Sequence, residues 1–299
     1  MDGENAFKPS ISTNPFGVKQ VYWERLQNMR LLDDAFMRAT LKDNIPAIQL
    51  ILRTVMGKED LVVLKAEVQA DYKSLYGRSL VLDVVAIDGK GNLYNIEIQQ
   101  DEKKAYPERG RYHMAVIDSN ALEKNHPFSD LPTTYVIFVT AEDYYEMGQP
   151  VYHVDRTVEE TGKKYGDRGH IIYVNGAYQG NNDMGRLMAD FRERDPSKMH
   201  HQELAGRAYD LKNKEDEVRK MCMAMEATYN EGLTDGIKKG REEGREEGDQ
   251  TRGVQDVENL MDTLGLSLTE AFKALRVPME KHQIYSNLIT QRRLVAGKG

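Results

Sequence analysis

The chain has 299 residues, a net charge of −7 and a single cysteine, Cys222. The negative charge excludes a uniformly basic nucleic-acid-binding surface, although it leaves room for a local basic patch. One cysteine excludes a disulfide framework and a cysteine-rich zinc site. The apolar stretches, such as residues 135–139, fall far short of the roughly 20 residues that span a bilayer. Residues 1–17 also lack an apolar signal core, so we expect a soluble, cytoplasmic protein with no membrane partner.

The first part of the chain is predicted to be helical after a flexible arm. Residues 1–20 mix glycine, asparagine, serine, proline and lysine without a period, which is typical of such an arm. Apolar residues recur at three- and four-residue steps from Tyr22 to Met56. Pro46 marks a break where a second helix begins, and Gly57 follows that helix as a C-terminal cap glycine would.

A β-hairpin over residues 79–99 is the strongest local prediction. Two β-prone runs, 79–87 and 93–99, flank the turn-forming residues 88–92. A further β-prone segment, 61–68, precedes the hairpin. The elements predicted after it are a helix over about 107–124, strands at 133–140 and 170–174, and helices over 184–192 and 202–229.

Glycines recur every four residues from Gly232 to Gly248, separated by charged triplets. One interpretation is a solvated, partly helical linker, because each interior glycine costs a helix about 1 kcal/mol relative to alanine. The other is a helix whose glycine stripe lets a partner helix approach. Four residues advance a helix by roughly 400°, so neighbouring glycines stay on one face. A homo-oligomer formed through the tail is therefore one expectation.

Two acids of the hairpin are unusual because side chains alternate along a strand. Glu97 shares a face with Asn95 and Gln99, while Asp83 interrupts an apolar run on the partner strand. A carboxylate in such a run is costly to bury without a partner, and two facing carboxylates repel each other. A divalent cation between them would resolve both problems, and oxygen ligands suit magnesium. The alternative is that Glu97 is a solvated edge residue.

These acids occur in an order of elements that resembles the core of PD-(D/E)XK nucleases. More closely, the chain resembles the recombination-promoting nucleases, also described as PD-(D/E)XK nuclease family transposases. The segments that carry the resemblance are 32–36, 82–84, 94–99, 109–112, 135–139 with Asp143, and 172–175. The resemblance implies an α/β, restriction-endonuclease-like core with a mixed central sheet flanked by helices, followed by a helical C-terminal tail. The implied domains are a flexible arm (1–20), a nuclease-like domain (21–228), a linker helix rich in glycine and charge (229–253) and a small helical module (254–299).

The resemblance also implies a function, namely a metal-dependent DNA endonuclease of recombination, mobile elements or defence. Its cofactor would be Mg²⁺ or another hard divalent cation, held by Asp83 and Glu97. Asp33 would be an additional acid from the N-terminal helix, with Asp34 as its rival. Gln99 stands where the broad superfamily has lysine; it carries no charge but can orient a water or a phosphate oxygen. The competing expectation is a catalytically inactive nuclease fold that binds DNA or protein.

The helix after the hairpin carries basic and aromatic residues. Arg109 shares a helical face with Tyr112 and with His113. Arg109, Arg111 and Tyr112 are predicted to bind nucleic acid near the site or to buttress the carboxylates; the alternative is a solvated face with ordinary ion pairs. Trp23 and the tyrosines are scattered along the chain, so the sequence indicates no stacking platform for single strands.

Overall fold

The computed structural model describes residues 14–73 and 78–296. The chain divides into two compact units between Met223 and Ala224. Of the predicted flexible arm, residues 1–13 lie outside the described residues. The first unit contains a β-sheet with helices, and the second unit is helical.

A mixed sheet of six strands organises the described part of the first unit, in the order β1-β2-β3-β4-β6-β5. The pairs β1–β2, β2–β3 and β5–β6 are antiparallel, whereas β3–β4 and β4–β6 are parallel. Strand β3 is therefore the seam between an antiparallel and a parallel half. The strands are β1 (Val63–Tyr72), β2 (Leu80–Asp88), β3 (Leu93–Gln99), β4 (Thr134–Thr140), β5 (Val151–Val154) and β6 (Gly169–Asn175).

Helix α3 begins and ends where local signals predict. In α3, the Asn44 side chain accepts a hydrogen bond from the backbone N–H of Ala47, Pro46 lies in the first turn, and Gly57 caps the end with a φ of 61°. No helix within the described ranges is long and apolar enough to cross a membrane. The helices are α1 (Gln20–Asn28), α2 (Asp34–Leu41), α3 (Ile45–Met56), α4 (Pro107–Ala121), α5 (Asp183–Arg192), α6 (Gln202–Asn213), α7 (Glu215–Leu264), α8 (Leu268–Ala274) and α9 (Met279–Ala296).

The turn between β2 and β3 is organised by one buried carboxylate. Asp88 accepts hydrogen bonds from the backbone N–H groups of Lys90 and Asn92, from the Asn92 side chain and from the Tyr94 hydroxyl, all at 2.8–2.9 Å. These bonds fix the register of the hairpin. A slip of one residue would move every side chain to the opposite face of the sheet.

Helix α4 packs against the parallel half of the sheet through a glycine. A Cβ atom on Gly110 would lie 3.0 Å from Ile171 Cδ1 and 3.2 Å from Phe138 Cε2. Glycine destabilises a helix interior by about 0.5–1 kcal/mol relative to alanine, but here it lets the helix backbone approach the strands. Arg109 and His113 are thereby held above β3.

The predicted fold class is confirmed, since a mixed sheet flanked by helices is present. Strand β5 was not predicted, because it is a four-residue edge strand with little burial. The break between α1 and α2 was not predicted either. At that break the buried ammonium group of Lys212 binds the carbonyl oxygens of Gln27 and Met29, which replaces helical hydrogen bonds there.

The second unit has a core of its own, formed by Val254, Val257, Ala271, Phe272, Tyr285 and Ile289. The glycine-spaced segment lies inside α7 and is helical throughout. A Cβ atom on any glycine from Gly232 to Gly248 would meet no atom within 4 Å. Self-association through this stripe stays a prediction.

Candidate active site

Asp83 and Glu97 face each other across the antiparallel pair β2–β3. The regular register ends at the pair Val84–Ile96, and these two acids are the next opposed positions. Each carboxylate accepts a hydrogen bond from the backbone of the other strand. The Asp83 N–H donates to Glu97 Oε1 at 3.1 Å, and the Ile98 N–H donates to Asp83 Oδ2 at 3.1 Å. The two acids therefore lie on one face of the sheet.

The other neighbour of β2 is irregular at the same level. The pairing of β1 with β2 passes from Val68–Val84 to Ala70–Leu82, and Gln69 between them has a φ of 58°. A left-handed conformation costs a residue with a side chain roughly 1–2 kcal/mol. Such strain is concentrated at functional sites. Asp83 thus lies where the regular ladder is interrupted on both sides of its strand.

The Glu97 side chain is only 1 % exposed. Besides the Asp83 N–H, its Oε1 accepts a hydrogen bond from Asn95 Nδ2 at 2.9 Å, and its Oε2 lies 3.3 Å from a guanidinium nitrogen of Arg109. Burial, reinforced by the nearby Asp83 charge, raises the pKa of Glu97 to about 7. Burial also raises the pKa of Asp83, although the charges of Arg38 and Arg109 oppose it. Both acids therefore favour a nearby proton or cation.

A chain of hydrogen bonds supports Glu97 from behind. Arg109 Nε donates to His113 Nε2 at 3.3 Å, so the ring proton lies on Nδ1, which is 3.2 Å from Asn95 Oδ1. Burial, together with the charges of Arg109 and Arg78, lowers the pKa of His113 to about 4, so this ring is neutral at pH 7. The sequence analysis gave no role to Asn95, although its position two residues before Glu97 on the same face was a usable signal.

The remaining residues predicted for the site fall in two places. Gln99 is buried, and its Oε1 accepts a hydrogen bond from Arg109 Nη1 at 3.3 Å. Arg111 and Tyr112 line a groove of about 780 Å³ along α4, to which Arg109 also contributes. The Tyr112 hydroxyl donates to the backbone carbonyl of Arg78 at 2.7 Å. Arg109 thus connects the carboxylates to the groove.

The two acids at the start of α2 have different partners. Asp33 accepts hydrogen bonds from the Arg30 N–H and from the side chain of Gln100, the residue that follows β3. Asp34 pairs with Arg38, and its second oxygen is buried without a hydrogen-bond partner. Within residues 14–73 and 78–296, no three His, Cys, Asp or Glu side chains are placed to hold one metal ion together. Neither α2 acid therefore completes a three-ligand set with Asp83 and Glu97.

The hairpin and helix α4 lie within a match to a protein family. The model of the PD-(D/E)XK nuclease family transposases matches residues 43–177. That range contains the hairpin acids, Gln99 and the basic residues of α4, whereas Asp33 lies before it. No curated protein and no solved structure is found to match the chain. PD-(D/E)XK nucleases act on DNA and generally use divalent metal ions. Over residues 43–177 the chain is therefore similar to the PD-(D/E)XK nuclease family transposases, as the resemblance in the sequence predicted.

Proposed function

We propose that this protein is a metal-dependent endonuclease that hydrolyses phosphodiester bonds of DNA. The observation that carries the proposal is the opposed pair Asp83 and Glu97, each bonded to the other's strand. The family description supports a nuclease associated with transposition.

The two carboxylates fit a hard divalent cation such as Mg²⁺. Both are partly or fully removed from solvent, and both have a raised pKa, so a cation would offset charge that the fold leaves poorly compensated. Asp83 and Glu97 would hold the ion through carboxylate oxygens, the ligands that magnesium prefers. When bound, the ion lowers the pKa of a coordinated water and stabilises negative charge on the phosphate.

The neighbouring side chains would position the substrate. The guanidinium group of Arg109 donates hydrogen bonds to Glu97 and Gln99 and borders the groove. It can therefore exchange one of these partners for a phosphate oxygen of the substrate. Gln99 can orient a water or a phosphate oxygen but cannot carry a proton at neutral pH. We propose Asp33 as an additional acid that acts apart from the two metal ligands, and its hydrogen bond from Gln100, the residue after β3, supports this role.

Plasmid nicking tests the proposal. We expect the purified full-length chain to nick supercoiled DNA with Mg²⁺ and not with EDTA. Asp83→Asn and Glu97→Gln should abolish nicking, whereas Glu67→Gln, which removes an exposed acid from β1, should not. Arg109→Gln should slow nicking by roughly 10- to 100-fold, the usual effect of removing a group that supports a metal ligand. Nicking that survives Glu97→Gln would refute the assignment.

A second candidate is a nuclease fold that binds DNA without cutting it. It is favoured by the contacts of Arg109, whose guanidinium group already partners Glu97 and Gln99, and by the lack of a third acid within the described ranges. Tight binding of DNA with no cleavage in Mg²⁺, Mn²⁺ or Ca²⁺ would favour this candidate. In that case metal should leave the melting temperature unchanged.

A further inference from the structure

The groove along α4 combines charge with exposed aromatic surface. It has a volume of about 780 Å³, and its walls include Arg111, Tyr112 and Tyr106. Tyr112 is 37 % exposed and Tyr106 is 47 % exposed. In the described residues, Arg111 has no ion-pair partner within 4 Å, so its charge is available to a ligand.

The apolar part of the groove is not explained by contact with phosphates. Leu80 at the start of β2 also lines it, beside the tyrosines. Phosphate groups gain from arginine but gain nothing from a leucine or from the face of a tyrosine ring. Nucleic-acid bases do gain from such surfaces, because every base has an aromatic face that can stack.

In a duplex, however, those base faces are already covered by the neighbouring base pairs, and only the base edges are exposed in the grooves. A wall of tyrosine and leucine therefore suits a base that has left the stack better than a base inside a duplex. Tyr112 is suited to this role because the bond from its hydroxyl to the Arg78 carbonyl fixes the ring, which lowers the entropy cost of stacking.

We propose that this groove binds unpaired nucleotides of DNA, with at least one base stacked on Tyr112 or Tyr106 and its phosphate bound by Arg111. The inference rests on the proposed nuclease function, because Arg109 joins the groove to the carboxylates. The preferred substrate is then DNA with a single-stranded segment, such as a flap or a bulge, beside the bond that is cut. Tyr106 and Tyr112 lie six residues apart in the chain and both line this groove.

Binding without metal separates this inference from the proposed function. Fluorescence anisotropy would compare a labelled single-stranded oligonucleotide with its duplex, in EDTA, using the full chain. We expect the single strand to bind more tightly. Tyr112→Leu should weaken single-strand binding by roughly fivefold or more, as expected from the loss of one stacked base, and should leave duplex binding nearly unchanged. Tyr112→Phe, which keeps the ring, should retain the preference.

The matched control is Tyr209→Leu, which removes another exposed tyrosine on α6, away from the groove. Equal binding of single strand and duplex, or equal losses in Tyr112→Leu and Tyr209→Leu, would overturn the inference. Plasmid nicking by the wild-type chain in the same preparation would then leave the proposed function standing. Loss of the preference in Tyr112→Phe would overturn stacking in favour of the hydroxyl contact.

Discussion

Replacing Glu97 by glutamine should change how the stability of the metal-free protein depends on pH. The pKa of Glu97 is about 7 in the fold against an ordinary value of 4.5. The unfolded chain therefore releases this proton at a lower pH than the folded chain does. It follows that the free energy of unfolding falls as the pH rises from 4.5 towards 7, and then levels off. At about 1.4 kcal/mol for each pH unit, the loss is about 3 kcal/mol.

Urea unfolding in EDTA at pH 5 and pH 8 measures this loss. Between those pH values the wild-type chain should lose roughly 2–3 kcal/mol more than Glu97→Gln does, because Glu97 itself titrates in this range and, of the other groups, its neighbour Asp83 is the one coupled to it. Glu67→Gln, the exposed-acid control, should follow the wild type. Mg²⁺ added at pH 8 should raise the melting temperature of the wild type but not of Glu97→Gln. A pH profile unchanged by Glu97→Gln would refute the idea that this carboxylate is held in an unfavourable charged state.

Three further substitutions test the packing around the site. Lys212→Met removes a buried ammonium group that donates to three backbone carbonyl groups. We expect urea unfolding to show that the free energy of unfolding falls by roughly 2–4 kcal/mol, whereas the control Lys214→Met, at an exposed lysine, should lower it by less than about 0.5 kcal/mol. Asp190→Asn should cost about 2–3 kcal/mol at pH 7 in the same assay. Burial opposes ionisation of Asp190, but hydrogen bonds from two histidines outweigh it and lower the pKa of this carboxyl. As the pH falls through the lowered pKa, the wild type should lose the stability that the ionised carboxylate contributes, whereas the variant has no such contribution to lose at this position. Gly110→Val should lower the free energy of unfolding by about 1–3 kcal/mol in thermal denaturation, because α4 must move away from the sheet. Gly206→Ala, at a glycine with open space around it, should instead raise the free energy of unfolding by about 0.5–1 kcal/mol.

Each of these predictions has a clear contrary result. Equal losses in Lys212→Met and Lys214→Met would mean that the three carbonyl groups find water when the ammonium group is gone. A wild type as insensitive to acid as Asp190→Asn would remove the role given to the histidine hydrogen bonds. Unchanged stability in Gly110→Val would show that α4 does not need the close approach that the structure has.

The hairpin could be predicted from the sequence because its signals are local. Two β-prone runs around a glycine-containing turn predict the hairpin, and the alternation of side chains along each strand made Asp83 and Glu97 candidates for one face. The family segments predicted the order of the later strands, and the fold class was confirmed by the family match.

The contacts that support the site could not be predicted because they join distant residues. Asn95, His113 and Arg109 meet only when α4 folds back over β3, an approach that depends on Gly110. Lys212 reaches carbonyl groups more than 180 positions away in the chain. Local sequence patterns carry no information on contacts between residues that are distant in the chain. The buried lysine and the chain of hydrogen bonds behind Glu97 are therefore visible only in the structure.

The Asp88 turn also sets the position of Asp83 and Glu97 along the hairpin. Asp83 lies five residues before Asp88, and Glu97 lies five residues after Asn92. The two arms of the hairpin, each measured from the turn to its acid, are therefore equal in length. One residue inserted directly after Asn92 would lengthen one arm and turn the second acid to the opposite face of the sheet. An insertion about 17 Å from the acids, at about 3.4 Å per strand residue, would thus disable them without touching either one.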